Sequence, residues 1–223
     1  VGDGTTGGFY ADGDIRGTSG GAVKALVSVG AMTAITAGGT LSVLATTDIT
    51  SLKTETHGGS GGVVATGGQR AEIDFSAVDA TIDVAAGVQL TAAGAVTVRS
   101  ETASTLAANA DQTARGAIAR DEVKANITAV EKSAISLSDN AGIAGVSIDV
   151  AALVSRAGAD AQARANAAGL GAAPDARAQV DLDITATLNA HLTFLTGPSV
   201  NLLASTNGLH AYAYSYEIGR AHV

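Results

Sequence analysis

The clearest signal along the chain is a two-residue hydrophobic period. In residues 71–100, Ile73, Phe75 and Ala77 share one phase, and Glu72, Asp74 and Ser76 share the other. A half-buried strand imposes this pattern because successive side chains leave opposite faces of the sheet. Ile82-Asp-Val84, Val88-Gln-Leu90 and Val96-Thr-Val98 carry it onward, separated by Ala-Ala-Gly and Ala-Ala-Gly-Ala corners. Val27-Ser-Val29 and Leu41-Ser-Val43 alternate in the same way. Residues 103–134 are rich in alanine, which favours helix. Their Val123, Ala125, Ile127 and Ala129 nevertheless alternate with Lys124, Asn126 and Thr128, so the segment reads as strand. Residues 157–167 are more decisive, because alanine holds every odd position. Alanines at period two cannot form one stripe on a helix of period 3.6. They predict a strand whose inner face has room for a methyl group and little more. Val180, Leu182, Ile184, Leu188, Leu192 and Phe194 resume the alternation, and Tyr212, Tyr214 and Tyr216 end it opposite small residues. Three stretches read instead as irregular or connecting: the Gly/Asp-rich residues 1–22, the Gly-rich residues 57–68, and residues 169–175 with Pro174.

A longer period lies over the short one. Ile35-Thr-Ala-Gly-Gly-Thr-Leu-Ser-Val-Leu-Ala45 and Leu90-Thr-Ala-Ala-Gly-Ala-Val-Thr-Val-Arg-Ser100 share one pattern with Phe194-Leu-Thr-Gly-Pro-Ser-Val-Asn-Leu-Leu-Ala204. A fourth copy near residue 148 survives as Val146-Ser-Ile148-Asp-Val150. Recurrence at 52–55 residues is the mark of a repeat architecture. The expected fold is all-β and repeat-built, a parallel β-solenoid (β-helix) with Gly-rich corners. Residues 23–216 form the solenoid region and residues 1–22 precede it as an irregular segment. With strands of about 5–8 residues, each repeat would hold two coils, giving some eight to ten rungs and about 40–50 Å of rod.

Composition sharpens this picture. Among 223 residues there are three Phe, four Tyr, one Met and no Trp, so burial must come from many small side chains packed closely. Charged residues make up only 15% of the chain, while 46% are hydrophobic, which argues against disorder. A net charge of −8 disfavours nucleic acid and anionic lipid as partners. The absence of cysteine excludes disulfides and thiolate metal sites. No apolar run reaches the ~18 residues of a membrane-spanning helix, so no membrane insertion is expected of this segment. Residues 217–223, Glu-Ile-Gly-Arg-Ala-His-Val, read as translated sequencing adapter and are set aside as a non-native tail, His222 with them.

The module x-Val-x-Ala-Gly-Gly-x-Val-x-Val-x-Ala, present at residues 35–45 and 90–100 and with Pro198 in place of the second glycine at 194–204, resembles the repeats of filamentous-haemagglutinin-like adhesins. These are very large bacterial surface proteins. The resemblance implies a spacer segment of a secreted, cell-surface protein that projects an adhesive region located elsewhere. It also implies an outer-membrane secretion partner, and contact with a host-cell or matrix surface through regions outside this segment.

Candidate chemistry is sparse, and no catalytic residue is assigned. Gly17-Thr-Ser19-Gly-Gly21 matches a nucleophile elbow, which would need His57 and a carboxylate such as Asp74. Gly2-Asp-Gly4-Thr-Thr-Gly7 matches a phosphate-binding turn without the strand before it or the helix after it. Glu72/Asp74 and Asp181/Asp183 each place two acids on one strand face, the arrangement by which a β-helix binds calcium or carries acid–base catalysis on polysaccharide. The ordinary alternative is a solvated outer face. Asp3, Asp12 and Asp14 are looser calcium candidates, and His191 and His210 stand alone. Tyr212, Tyr214 and Tyr216 form an aromatic stripe that would either stack on sugars or pack against the next coil. The leading expectation is a non-enzymatic spacer without a cofactor. A carbohydrate-active β-helix enzyme and a calcium-binding surface-layer or biofilm-matrix protein are the alternatives.

Overall fold

The alternation becomes strands far longer than 5–8 residues. The computed structural model describes residues 1–191 and 193–220; Leu192 and the last three tail positions, His222 included, lie outside them. The order is β1 (Gly2–Val29), β2 (Ala34–Ala37), β3 (Leu41–Val84), β4 (Gln89–Ala92), β5 (Ala95–Arg115), β6 (Ile118–Leu137), β7 (Gly142–Ala144), β8 (Ser147–Ala168), β9 (Gly171–Ala190), β10 (Phe194–Thr196), β11 (Ser199–Thr206) and β12 (Leu209–Arg220), with no helix among the described residues.

Every pairing between these strands is parallel and joins residues 52–55 apart. The repeat is therefore one coil, not two. A coil has a first long arm (residues 41–61, 95–115, 147–168, 199–220), a tight corner, a second long arm (10–29, 64–84, 118–137, 171–190) and a short third side (β2, β4, β7, β10). The cross-section is a flattened loop about 65 Å wide, given ~3.3 Å per residue. The four coils rise about 20 Å in total at ~4.8 Å each, so the expected eight to ten rungs and 40–50 Å are overturned. The error lay in strand length: glycines within the arms, such as Gly13, Gly58 and Gly67, stay paired in the ladder instead of ending it.

Two of the three corners are built on glycine; the third, between the second arm and the short side, turns through left-handed Met32, Gly87 and Asn140. Gly8, Gly62, Gly116 and Gly169 fall at equivalent positions of the tight corner. A Cβ on Gly116 would lie 2.4 Å from the Gly62 carbonyl oxygen, and one on Gly169 would lie 1.7 Å from the Gly116 oxygen. At the other glycine corner, a Cβ on Gly145 would meet the Gly94 oxygen at 2.8 Å and one on Gly197 the Gly145 oxygen at 2.3 Å. Pro198 thus leaves the module intact, because the glycine the corner needs is Gly197.

The predicted alternation holds through most of the chain. Ile73, Val98 and Ile127 are buried, and the alanines at 157, 159, 161, 163, 165 and 167 line the interior at no more than 1% exposure. Leu41, Val96, Ile148 and Val200, one from each copy of the module, stack in one inward column. At the third side Leu90 and Ile143 join Ile82, Val84, Ile135 and Leu137 in the largest aliphatic cluster. Mid-arm, Ile73, Phe75, Leu106, Val123 and Ile127 pack with the alanine row, and at the tight corner only Ala65, Ala114, Ala119 and Ala167 remain. The core thins towards that corner as the two arms converge.

Several expectations are corrected. Residues 1–22 are not irregular: from Gly2 they belong to β1, which lies in register on β3. Weak local propensity yields there to a complete neighbouring strand that supplies the hydrogen bonds, with Gly7 over Gly61, Gly8 over Gly62 and Gly13 over Gly67. Residues 57–68 are likewise strand within β3, turning at the corner. Residues 171–175 open β9, with Pro174 paired to Asp121 and tolerated because β9 borders the sheet. Phe194 breaks the assigned phase: it is 63% exposed, and Leu195 packs inward instead. β12 continues through Glu217 to Arg220, and Glu217 Oε1 accepts the Ala176 amide hydrogen at 2.9 Å.

Gly116→Ala should cost at least about 2 kcal/mol in urea denaturation, because the methyl must displace a backbone carbonyl. Gly38→Ala, whose Cβ meets nothing within 4 Å, should be neutral or slightly stabilising. Within the alanine row, Ala161→Leu should lower stability by about 1–3 kcal/mol by overpacking. Equal midpoints for Gly116→Ala and Gly38→Ala would contradict the corner geometry.

Candidate functional site

Strict stacking turns single residues into columns. On the outer surface of the second arm, Arg16, Arg70, Lys124 and Arg177 form a basic column, one from each coil. Acids flank it: Asp14, Glu122 and Asp175 on one side, with Gly68 filling the gap in that file, and Glu72 on the other. Arg16 reaches Glu72 at 2.6 Å, Arg70 also pairs with Glu72, Lys124 pairs with Glu122, and Arg177 reaches Asp175 at 2.8 Å. Stacked like charges repel, and the flanking carboxylates are what make the column tolerable. The missing side chain at Gly68 leaves a shallow depression of about 300 Å³ between Asp14, Arg16, Arg70, Glu122 and Lys124.

The two acid pairs of the sequence fall on this surface and do not converge. Asp74, Thr128 and Asp181 share a column, so Asp74 and Asp181 stand two rungs apart. Asp183 lies beside Val130, and Asp181 and Asp183 are both exposed. Burial pulls the Glu72 carboxyl up, but hydrogen bonds and charge from Arg16 and Arg70 outweigh it and hold it below the usual range. It is a structural anion. Asp12 Oδ1 accepts from Thr66 Oγ1 at 3.0 Å, while Asp3 lies beside His57 on the other arm. Among the described residues no three acids or histidines come together to hold a metal ion.

The nucleophile elbow is dismantled. Ser19 lies in mid-strand in the phase of the interior, where its Oγ accepts from Thr54 Oγ1 at 2.9 Å. His57 points outward on the first arm and Asp74 outward on the second. The Gly2–Gly7 motif runs along β1 with no helix after it.

On the outer surface of the first arm, the tyrosines of β12 stand in near-parallel sequence. Ring centroids are 6.2 Å apart for Tyr212 and Tyr214 and 6.3 Å for Tyr214 and Tyr216, with interplanar angles of 10° and 12°. The same-column neighbours below them are polar apart from Ala107: Asp160, Ala107 and Lys53 under Tyr212, Gln162, Asn109 and Glu55 under Tyr214, Arg164, Asp111 and His57 under Tyr216. No Phe, Tyr or Trp lies in these columns in the coils below.

The interior holds two polar belts that sequence reading passed over. In the first, Ser104 Oγ donates to Glu131 Oε1, Ser133 Oγ lies 2.9 Å from the Ser100 hydroxyl, and Ser100 Oγ donates to the Ala80 carbonyl at 2.6 Å. Burial pushes the Glu131 carboxyl up, against the Ser104 hydrogen bond and the charge of Arg156. In the second, Gln69 Nε2 donates to Gln112 Oε1 at 2.8 Å, and Asp121 Oδ2 accepts from the Ala114 amide at 3.1 Å. Gly58 and Gly67 leave room for these amides: a Cβ on Gly58 would lie 2.1 Å from Gln69 Nε2, and one on Gly67 2.2 Å from Gln112 Nε2. Asp121 is 3% exposed, and burial pushes it up to about 6 against the hydrogen bond from the Ala114 amide. The missed signals were simple. Asp121 and Glu131 sit in the inward phase of Val123 and Ala129, and the basic residues recur at the repeat period.

No family model matches the chain, and no curated protein or solved structure is significantly similar to it.

Asp121 yields a signed pH dependence. Its folded pKa of about 6 exceeds the ordinary carboxyl value of 3.8, so folding takes up a proton between them. Stability from this group is highest below that window and falls as pH rises through it, by about 3 kcal/mol at most. Asp121→Asn should remove that loss. Urea midpoints from pH 4 to 8 should show the variant gaining on wild type as pH rises; parallel curves would refute the assignment.

Proposed function

We propose that this chain is a structural spacer segment of a large secreted or cell-surface bacterial adhesin, holding an adhesive region elsewhere in the polypeptide away from the cell. The observation that carries the reading is the parallel stacking of all four coils, each register shift being one residue and absorbed within an arm. Each coil lies on the last with nearly the same cross-section, 52–55 residues around, so added repeats lengthen the body and leave its shape almost alone. A slab about 65 Å wide resists bending in its own plane far better than a narrow coil does. The same geometry suits export. An unfolded chain emerging through an outer-membrane partner would add one coil at a time to an edge already folded, without waiting for cysteine chemistry.

The cost of the design is length: about 53 residues give ~4.8 Å of rise, so a long shaft demands a very long polypeptide. Electron microscopy of the complete reading frame should show rods or blades of constant width, lengthening by ~4.8 Å per repeat. Immunogold labelling with antibody to residues 1–216 should decorate the outside of the source cells. Flexible beads, or label confined to the cytoplasm, would overturn the proposal.

A further inference from the structure

The outer surface of the first arm carries a second role that a spacer does not require. We propose that the tyrosine row of β12, with the polar columns beneath it, is a lateral binding surface for a neutral polysaccharide of equatorially linked pyranose units. Two independent observations meet there. One is the row itself: Tyr212, Tyr214 and Tyr216 keep 44%, 39% and 45% of their surface exposed on a flat sheet. Their outward phase, opposite Asp160, Gln162 and Arg164 of the coil below, presents apolar ring surface that the C–H face of a pyranose matches. The other is the depression of about 150 Å³ beside the row, lined by His57, Asn109, Asp111, Gln162 and Arg164. Four of these five lie in the columns of Tyr214 and Tyr216 themselves, one or two rungs down, and His57 completes the Tyr216 column.

The chemistry of that lining selects the ligand. Amide, carboxylate and guanidinium groups on planar side chains bridge pairs of neighbouring hydroxyls. Gln162 Nε2 is already held 3.2 Å from Asp160 Oδ2, and Arg164 Nη2 donates to Gln162 Oε1 at 3.4 Å, so the row is oriented before any ligand arrives. Charge excludes the acidic glycans. The three columns hold Glu55, Asp111 and Asp160 against Lys53 and Arg164, on a chain of net charge −8. A sulfated or uronic-acid polymer meets repulsion there. Spacing favours a chain laid along the stacking axis, because the rise per coil, about 4.8 Å, is close to the length of one pyranose unit. Such a chain would set one sugar against the tyrosines and the next ones against Gln162 or Arg164 and Asn109 or Asp111. This inference does not depend on the spacer reading.

The test is affinity electrophoresis of the whole chain in gels containing mixed-linkage β-glucan, xyloglucan or galactomannan, with heparin as the anionic comparison. Wild type should be retarded by at least one neutral polymer and not by heparin. Replacing Tyr212, Tyr214 and Tyr216 together by threonine, which keeps strand propensity, should weaken retardation by about tenfold or more. Gln162→Ala and Arg164→Ala, single changes on an outward surface, should each weaken it several-fold, and they decide the matter if the triple variant loses its circular-dichroism spectrum. No retardation by any neutral polymer, retardation by heparin alone, or undiminished binding by the folded variants would each overturn the proposal.

Discussion

The structure depends on how closely one coil approaches the next at its corners. Along the arms, side chains pass one another in the ordinary way of a parallel sheet. At the two glycine corners the chain turns so sharply that the carbonyl oxygen of each coil occupies the place where the next coil's Cβ would be. Glycine in the columns of Gly62 and Gly94 is therefore a condition of stacking at all. Every other regularity follows from it. Once corners are superposed, arms of about 20 residues lie in register, and a residue type at one position faces its equivalents above and below.

That register explains both the interior and the surface. Inside, the converging arms leave aliphatic volume near the third side, methyl-sized space along the alanine row, and almost none at the tight corner. Two polar belts interrupt the apolar fill, and each is served by internal hydrogen bonds that leave some atoms without partners, Glu131 Oε2 and Asp121 Oδ1 among them. These belts hold stability below what an all-apolar interior would supply, most of all at pH above 6. Outside, register turns scattered charges into columns, which are stable only when acids flank bases, as Glu72 and Glu122 do around Arg70 and Lys124.

Much of this was legible in the sequence, and the failures have a common cause. Period two survives wherever one strand face is dry, so the inward phase was readable from Ile73 to the alanine row. The repeat was readable because the glycines whose Cβ would meet the preceding coil's carbonyl, Gly145 and Gly197 among them, recur at the coil period. Coil size was not readable, since alternation marks the sides of a strand and not its ends. Taking the repeat as two coils hid the basic column, whose members look unrelated until Arg16, Arg70, Lys124 and Arg177 are set one coil apart. The Gly/Asp-rich start misled because its order is borrowed from β3, and no local signal reports a borrowed strand. Asp121 and Glu131 were passed over because a charge reads as outward even when its phase says otherwise.

The bulges deserve a different reading from defects. Pairing shifts by one residue at Gly21/Ala22, Ile49/Leu52, Phe75/Val78 and Thr102/Ala103. Across the module, the offset falls from 55 between Leu41 and Val96 to 52 between Ile148 and Val200. A rigid lattice of side-chain columns would forbid such drift, since one residue gained or lost would turn an arm inside out. The bulges act as expansion joints that take up the odd residue locally and return the strand to phase. Repeats in this fold can therefore change length one residue at a time without losing their neighbours.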